Sequence, residues 1–516
     1  MGKPEILACT IRDGGYYTNW DFQESLVKDY CLAMEYLPID YVEVGYRSVP
    51  LKGYLGEFFY CPEYLLKRLK SLMPSKKLAI ILNEKDTEIN TLDDLLDPCK
   101  PYIDLVRMAI NPKNINRAAE LAHEIKKKGF EVGFNVMYMS NWKNDRSFLS
   151  QLDKIDGLVD FFYMVDSYGG VLPKDVEDTI DLVKSTTNIP IAFHGHNNLE
   201  MAMTNTLLAM EKGCVMVDAT ITGMGRGAGN LKTELILTYL ESKQKISFQI
   251  NELSKIVGLF EKMQQEYKWG TSLPYMFSGA HSLPQKDVMD WLGLNRYPLS
   301  SIVMALSNKK DEIHDNVKLP LFAVEKKPKR VLVIGGGESI KDNLKAIKNL
   351  IGVFDDSSLC IVHAGVKNAE LFSDILHKQY YCLVGSEGDK LTKKFNGSKT
   401  LENECIFPPY PRKMGTVLPP EIKQRSYELD KIEFTDIYQD SPLTIAAQTA
   451  LLHDPEEIIL VGFDGYAKSK DDVKFQLANE NQYIIDKLLL SNCVVSSGTK
   501  TTYKNIDEKS LFSYFR

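Results

Sequence analysis

The sequence predicts an α/β protein: an N-terminal (β/α)8 TIM barrel with a helical extension, followed by a C-terminal Rossmann-like α/β domain. Three observations predict it. Short apolar runs alternate with longer amphipathic stretches through the first 240 residues, the runs number eight, and a charged linker later opens a second strand–glycine turn–helix series. Continuous apolar strands joined by helical crossovers mean a parallel sheet. Eight such units suit a closed barrel better than an open Rossmann-type sheet, the alternative architecture.

The apolar runs fall at residues 6–8, 41–45, 78–82, 105–110, 132–137, 161–165, 189–193 and 215–220. Amphipathic stretches such as 116–128 and 175–184 lie between them. From Glu241 to about Lys318 the pattern turns mostly helical, and EKKPK at 325–329 reads as a linker. Strands of the second unit are expected at 331–334, 359–363, 381–384 and 458–461, with the proline-rich stretch 406–420 as a loop. The expected domains are therefore 1–240, 241–324 and 325–516.

Composition narrows the function. With 516 residues, 44% hydrophobic and 25% charged, the chain is ordinary globular protein rather than disordered or low-complexity. Sixty-two basic against 69 acidic residues leave −7, with no Lys/Arg stripe, so nucleic acid is not an expected partner. Nine cysteines without a C-x-x-C pair read as reduced thiols in a cytoplasmic enzyme. No apolar run approaches the ~18 residues of a membrane span, so no membrane partner is expected.

In such a barrel the active site is built at the carboxyl ends of the strands. There stand Thr10 to Tyr17 after strand 1, Glu43 in strand 2, Asp166 to Gly170 after strand 6, His194 to Asn198 after strand 7 and Gly223 to Asn230 after strand 8. His194 and His196, at i and i+2, point the same way and can reach one ion. Asp13, from odd strand 1 like the histidines from odd strand 7, would add a hard oxygen in the same layer. Three protein ligands with open positions are what a catalytic metal needs, and the set does not separate Mn, Mg, Co and Zn. The alternative has Asp13 capping a helix and the histidines merely packed. Arg12 would stabilise a developing enolate oxygen, or pair with Glu43 or Asp13, roles that can coexist. Glu43 is read as the group orienting Arg12, with general base as the alternative. The glycine-rich turn at 223–230 lets backbone amides approach a carboxylate or phosphate.

TIRDGG, HGHNN and GMGRGAGN, in that order, resemble the HMGL-like (DRE-TIM) metallo-lyase superfamily over about residues 1–240. The resemblance implies a divalent metal, manganese favoured, held by Asp13, His194 and His196 with Asn230 as a further ligand, and Arg12 as enolate stabiliser. VDSYGG is most similar to the 4-hydroxy-2-oxovalerate aldolase branch. Where those aldolases carry a proton-transferring histidine, three residues after the aspartate, this chain has Tyr16. A phenol, titrating near 10, is a poor base but a serviceable acid. Glu43, Tyr17 and His281 are the other acid/base candidates.

In the second domain GGGES at 335–339 follows a strand but lacks the third glycine of G-x-G-x-x-G. Residues 441–466, with Gly462, Asp464 and Tyr466 as G-x-D-x-Y, resemble bacterial sialyltransferases and motility-accessory-factor-type proteins. No histidine follows His453, so nucleotide or nucleotide-sugar binding through Gly335, Gly337 and Asp464 is expected rather than glycosyl transfer. An assembly module is the alternative.

The expected activity is divalent-metal-dependent aldolase or lyase chemistry next to a 2-oxo acid, with small 2-oxo acid and aldehyde substrates and room for a homo-oligomer. The alternatives are an acyl-CoA-dependent Claisen synthase and a nucleotide-sugar binding protein with a degenerate barrel.

Overall fold

The computed structural model describes residues 4–313, 317–395, 403–412, 416–466 and 472–515. Contacts divide the chain into two compact units, Met1–Met289 and Asp290–Arg516. The helical stretch expected as a separate extension is divided between them. The helices Ile250–Tyr267 and Leu273–Ala280 belong to the first unit and Leu299–Lys310 to the second.

The first unit is a closed barrel of eight parallel strands. These are β1 (Glu5–Ala8), β2 (Tyr41–Tyr46), β3 (Lys77–Asn83), β4 (Leu105–Ile110), β5 (Glu131–Val136), β6 (Phe161–Asp166), β7 (Ile191–Gly195) and β8 (Met216–Ala219). Pairing of β1 with β8, from Glu5 opposite Met216 to Ala8 opposite Ala219, completes the ring. An open sheet is thereby excluded.

Alternation along each strand sorts the side chains. Ile6, Val42, Ile80, Val106, Phe162, Phe193 and Val217 face outward into the helices, as on the helix Ile115–Lys127, which buries Ile115, Ala118, Leu121, Ala122 and Ile125 along one stripe. Leu7, Tyr41, Ala79, Leu105, Tyr163, Ala192 and Met216 form a separate apolar cluster inside the barrel. One inward step further on stand Cys9, Glu43, Ile81, Arg107, Asn135, Val165, His194 and Asp218. Layers in such a barrel take four side chains from alternate strands. The even strands therefore contribute Glu43, Arg107, Val165 and Asp218 to one layer, three of the four charged.

The second unit is an eight-stranded parallel sheet: β9 (Arg330–Ile334), β10 (Leu359–Ala364), β11 (Gln379–Cys382), β12 (Glu404–Phe407), β13 (Ser426–Glu428), β14 (Glu457–Val461), β15 (Val494–Ser497) and β16 (Asp507–Glu508). Their order is β13-β12-β11-β10-β9-β14-β15-β16, so the winding reverses between β9 and β14. Four strands go beyond the sequence expectation. Ile406 and Phe407, expected in a loop, are the last residues of β12, and Ile406 pairs with both Cys382 and Tyr427. Strands of two to four residues carry too short a pattern to read; neighbouring edges create them. Among the described residues no helix is long and apolar enough to cross a membrane.

One buried histidine makes this unit sensitive to acid. His363 on β10 is 1% exposed, and its Nε2 lies 2.8 Å from Gln379 Oε1. The Gln379 amide nitrogen donates to the carbonyls of Phe372 and Ile375, so Oε1 must accept and Nε2 must carry the hydrogen. Burial pushes its titration down to about 4. Between that value and the ~6.5 of an unfolded histidine, only the unfolded chain takes up the proton. Stability from this group is therefore complete above pH 6.5 and is lost as pH falls towards 4, by about 3 kcal/mol. Urea unfolding of the full chain from pH 7 to 4.5 should show this slope, and His363→Gln should reduce it; an unchanged slope in the variant would refute the assignment.

Candidate active site

The site begins with a helix that its own sequence disfavours. Thr10–Thr18 (TIRDGGYYT) contains adjacent glycines, which are poor helix formers. Packing holds it instead. Trp20 Nε1 donates to the Arg12 carbonyl at 2.9 Å, and a Cβ on Gly15 would stand 2.1 Å from the Trp20 ring. Thr10 Oγ1 accepts the Ile221 N–H at 3.0 Å, tying the helix to the end of β8. Asp13 thus reaches the barrel mouth from the first turn of a helix. The expectation that it would share a strand layer with the histidines is corrected: the chain turns helical two residues after β1 ends.

From there a buried chain of opposite charges crosses the barrel. Arg12 Nη1 bonds Asp13, and its Nε donates to Glu43 Oε2 at 2.6 Å. The same Glu43 oxygen lies 3.2 Å from Arg107 Nη1. Arg107 Nη2 donates to Asp218 Oδ2 at 2.5 Å, its Nε donates to Asn135 Oδ1 at 2.9 Å, and its guanidinium lies 4.0 Å over the Tyr163 ring. Asp218 Oδ2 also meets His194 Nδ1 at 2.7 Å.

These partners fix both histidine tautomers. Burial would raise Asp218, but Arg107 and then His194 hold its carboxyl below the usual carboxylate range. An ionised carboxylate only accepts, so His194 Nδ1 carries a hydrogen, and in the neutral ring Nε2, 3.8 Å from Asp13 Oδ2, is the nitrogen with the lone pair. His196 Nδ1 lies 2.8 Å from the Asp166 carbonyl, which also only accepts, so its Nε2 lone pair is likewise free. Burial pushes the His196 imidazolium down to about 3 and keeps the ring neutral. The two ring centres are 5.0 Å apart. Burial also opposes ionisation of Asp13, yet Arg12 and the Asn230 amide hold it below the usual range.

Asn230 donates to Asp13 Oδ2 at 2.6 Å, while its buried Oδ1 has no partner among the described residues. A bridge to His196 and the Asn197 N–H to Gly229 carbonyl bond of 2.8 Å pin its loop to the end of β7. A Cβ on Gly225 would fall 2.3 Å from the Asn230 amide, so this glycine makes room for it.

Above these groups is a cavity of about 150 Å3 whose walls include Arg12, Asp13, Tyr16, His194, His196 and Arg226. Tyr16 Oη lies 3.1 Å from Tyr46 Oη on that wall. Glu43 is fully buried beneath it and bound to both arginines. Tyr17 donates to the Gly227 carbonyl and faces Tyr267 and Trp269. His281 is exposed, its ring tilted against that of Phe277 with centres 4.5 Å apart. Gly335, Gly337 and Asp464 meet in the second unit where β9 adjoins β14. The Gly335 and Gly337 amides donate to the Val461 and Gly462 carbonyls at 2.8 Å each, and Asp464 accepts from the Ser339 amide and hydroxyl. Both amides and the carboxylate are thus engaged within the turn.

Sequence reading missed Arg107, Asn135 and Asp218. Their signal was present: an arginine inside LVRMAI and an aspartate inside VMVDA are charges in otherwise apolar strands, which need buried partners.

The donor set fits a divalent cation. Three carboxylates against two guanidiniums leave this buried network one formal negative charge, facing two imidazole lone pairs and an unpartnered amide oxygen. Cys9, His194 and Asp218 also place atoms within 4.8 Å of one another. Asp218 Oδ2 is committed to Arg107 and to His194 Nδ1, however, the way an outer carboxylate orients a ligating histidine.

The fold and this mouth define a (β/α)8 barrel with a polar, metal-compatible site at the strand carboxyl ends, and comparison with known proteins agrees. The HMGL-like family matches residues 106–259. A 4-hydroxy-2-oxovalerate aldolase from Pelotomaculum thermopropionicum is 31% identical over 265 residues, covering 50% of this chain and 76% of the relative. The oxaloacetate decarboxylase of Mycobacterium tuberculosis is 26% identical over 242 residues, 47% of this chain and 71% of the relative. The crystal structure of the N-terminal domain of a protein from Bacteroides vulgatus, provisionally designated an aldolase, is 51% identical. It superposes with a TM-score of 0.56, covering 58% of this chain and 99% of that domain. The chain belongs to the HMGL-like family.

Removing Arg107 should be severe. Arg107→Met leaves Glu43 and Asp218 buried without their shared cation and should cost about 3–5 kcal/mol. Denaturant unfolding measures it; a loss below about 1 kcal/mol would show that the network does not support the barrel.

Proposed function

We propose that this chain is a divalent-metal-dependent carbon–carbon lyase, of the aldolase type, acting next to the carbonyl of a 2-oxo acid. Aldol cleavage of a 4-hydroxy-2-oxo acid and decarboxylation of a 2-oxo-4-carboxylate, the reactions two relatives are named for, both leave the enolate of a 2-oxo acid. The observation that carries the reading is Arg12. With Nε held by Glu43 and Nη1 by Asp13, its Nη2 is the nitrogen without a partner among the described residues, on a guanidinium at the cavity wall.

Asp13, His194, His196 and Asn230 Oδ1 would hold the ion, manganese favoured over Mg, Co or Zn, and when bound it supplies Lewis-acid polarisation of the 2-oxo acid. Arg12 donates to the enolate oxygen as charge develops there, already oriented, so little reorganisation opposes the step. Glu43 orients Arg12 and stays out of the cavity. Tyr16, on the wall, is the proton donor to the aldehyde oxygen when the bond is formed. The cavity is smaller than the ~300–1,000 Å3 of sites for drug-sized ligands, which suits a short acid.

Exchange of pyruvate methyl protons in deuterated buffer, with and without Mn2+, tests the reading; no metal-dependent exchange would sink it. Arg12→Lys keeps the charge but loses the planar fork, and kcat for exchange should fall by about two to three orders of magnitude. Near-normal turnover would leave Arg12 with a structural role only. His194→Ala or His196→Ala should abolish stoichiometric metal binding while circular dichroism stays native, since mouth residues do not build the barrel core. Unchanged metal content would overturn the ligand set.

A further inference from the structure

The same cavity contains a second cation, Arg226, that no carboxylate among the described residues answers. Arg226 lines it from the turn after β8, half-buried where Arg12 is only 6% exposed. Among the described residues its guanidinium has neither a hydrogen bond nor a carboxylate within 4.0 Å. Its carbon lies 5.4 Å from the centre of the Tyr16 ring. Arg12 and Arg107, by contrast, each contact two carboxylates.

The backbone that presents Arg226 is fixed. Its carbonyl accepts from the Gly229 N–H, and Tyr17 holds the next carbonyl, that of Gly227, at 3.1 Å. Gly227 has φ +68°, and a Cβ there would collide with Gln285 Oε1 at 1.7 Å, so the turn closes tightly behind the arginine. A rigid mount for an unpaired guanidinium is suited to an anionic oxygen group that arrives with a ligand. Depth assigns which group. The buried end of the cavity holds Arg12, Asp13 and the two histidines, where the 2-oxo acid reacts, and Arg226 stands nearer solvent beside Tyr16.

We infer that Arg226 is a specificity residue that binds a second anionic group, a carboxylate or phosphate, on the aldehyde-derived half of the substrate. This rests on the lyase reading above and deepens it. The chain would act on 4-hydroxy-2-oxo acids with a charged far end, in preference to those ending in a methyl group.

A matched pair of non-reacting acids tests it. 2-Oxoglutarate and 2-oxovalerate share a five-carbon chain and differ by a carboxylate in place of a methyl group. Calorimetry with the Mn2+-loaded full chain should show 2-oxoglutarate binding about ten- to a hundredfold more tightly, the range for a hydrogen-bonded charged group. Arg226→Met and Arg226→Gln should bring that ratio close to one. In turnover, pyruvate condensation with succinic semialdehyde should exceed that with butanal through KM. Comparing glyceraldehyde 3-phosphate with glyceraldehyde separates phosphate from carboxylate as the preferred group. Equal affinities in the unaltered chain overturn the inference, as does an equal loss for both acids in the variants, which would assign Arg226 to the 2-oxo acid's own carboxylate. Failure to bind either acid, in a chain that exchanges pyruvate protons, also overturns it. Absence of that exchange removes the lyase reading, and the inference with it.

Discussion

Arg107, enclosed at the centre of the barrel between Glu43 and Asp218, is the contact on which the rest of the site depends. A guanidinium cannot shed its proton to escape burial, so it must be surrounded by acceptors. The barrel supplies them from the even strands β2 and, across the ring, β8, which meet β4 in one layer, and the Tyr163 ring closes the face below. The pairing is exacting because each member left alone would be a buried charge.

Its two carboxylates transmit that order to the mouth. Glu43 reaches on to Arg12, and Asp218 to His194. The first contact aims a guanidinium at the cavity; the second sets a histidine tautomer that turns a lone pair towards Asp13. The same network that stabilises the barrel interior therefore orients the groups that would handle a metal and an enolate. The apolar layer of Leu7, Tyr41, Leu105 and Met216 beneath keeps water from this array, which strengthens every charge contact within it. The loops after β6 and β8 bring Tyr168 and Arg226 to the wall of this cavity.

The second unit follows a different logic. Its glycine turn after β9 sits where the strand order reverses, the usual place for a ligand in an open parallel sheet. Yet the amides of Gly335 and Gly337 bond across to the end of β14, and Asp464 accepts from Ser339 at the start of the short helix Ser339–Asp342. This glycine turn knits two adjacent strand ends together. In the barrel, the turn of residues 223–230 makes room for Asn230 and mounts Arg226, so glycine content alone does not separate the two uses.

The sequence by itself pointed to the barrel, because eight apolar strands alternating with helices mean parallel pairing and suit a ring better than an open sheet; the pairing of β1 with β8 decided the closure. It also determined that His194 and His196 share a face, since that follows from the strand repeat alone. Asp13 and Arg12 were legible as chemistry but not as a helix: Thr10–Thr18 has two glycines and becomes helical only once Trp20 packs against Gly15. Arg107 and Asp218 were visible only as oddities in apolar strands, because partners 111 residues apart meet through the layering of a closed barrel. The two- to four-residue strands β12, β13, β15 and β16 depended likewise on neighbours that supply their hydrogen bonds. Local pattern fixes which face a side chain takes; closure of the ring decides which side chain it meets there.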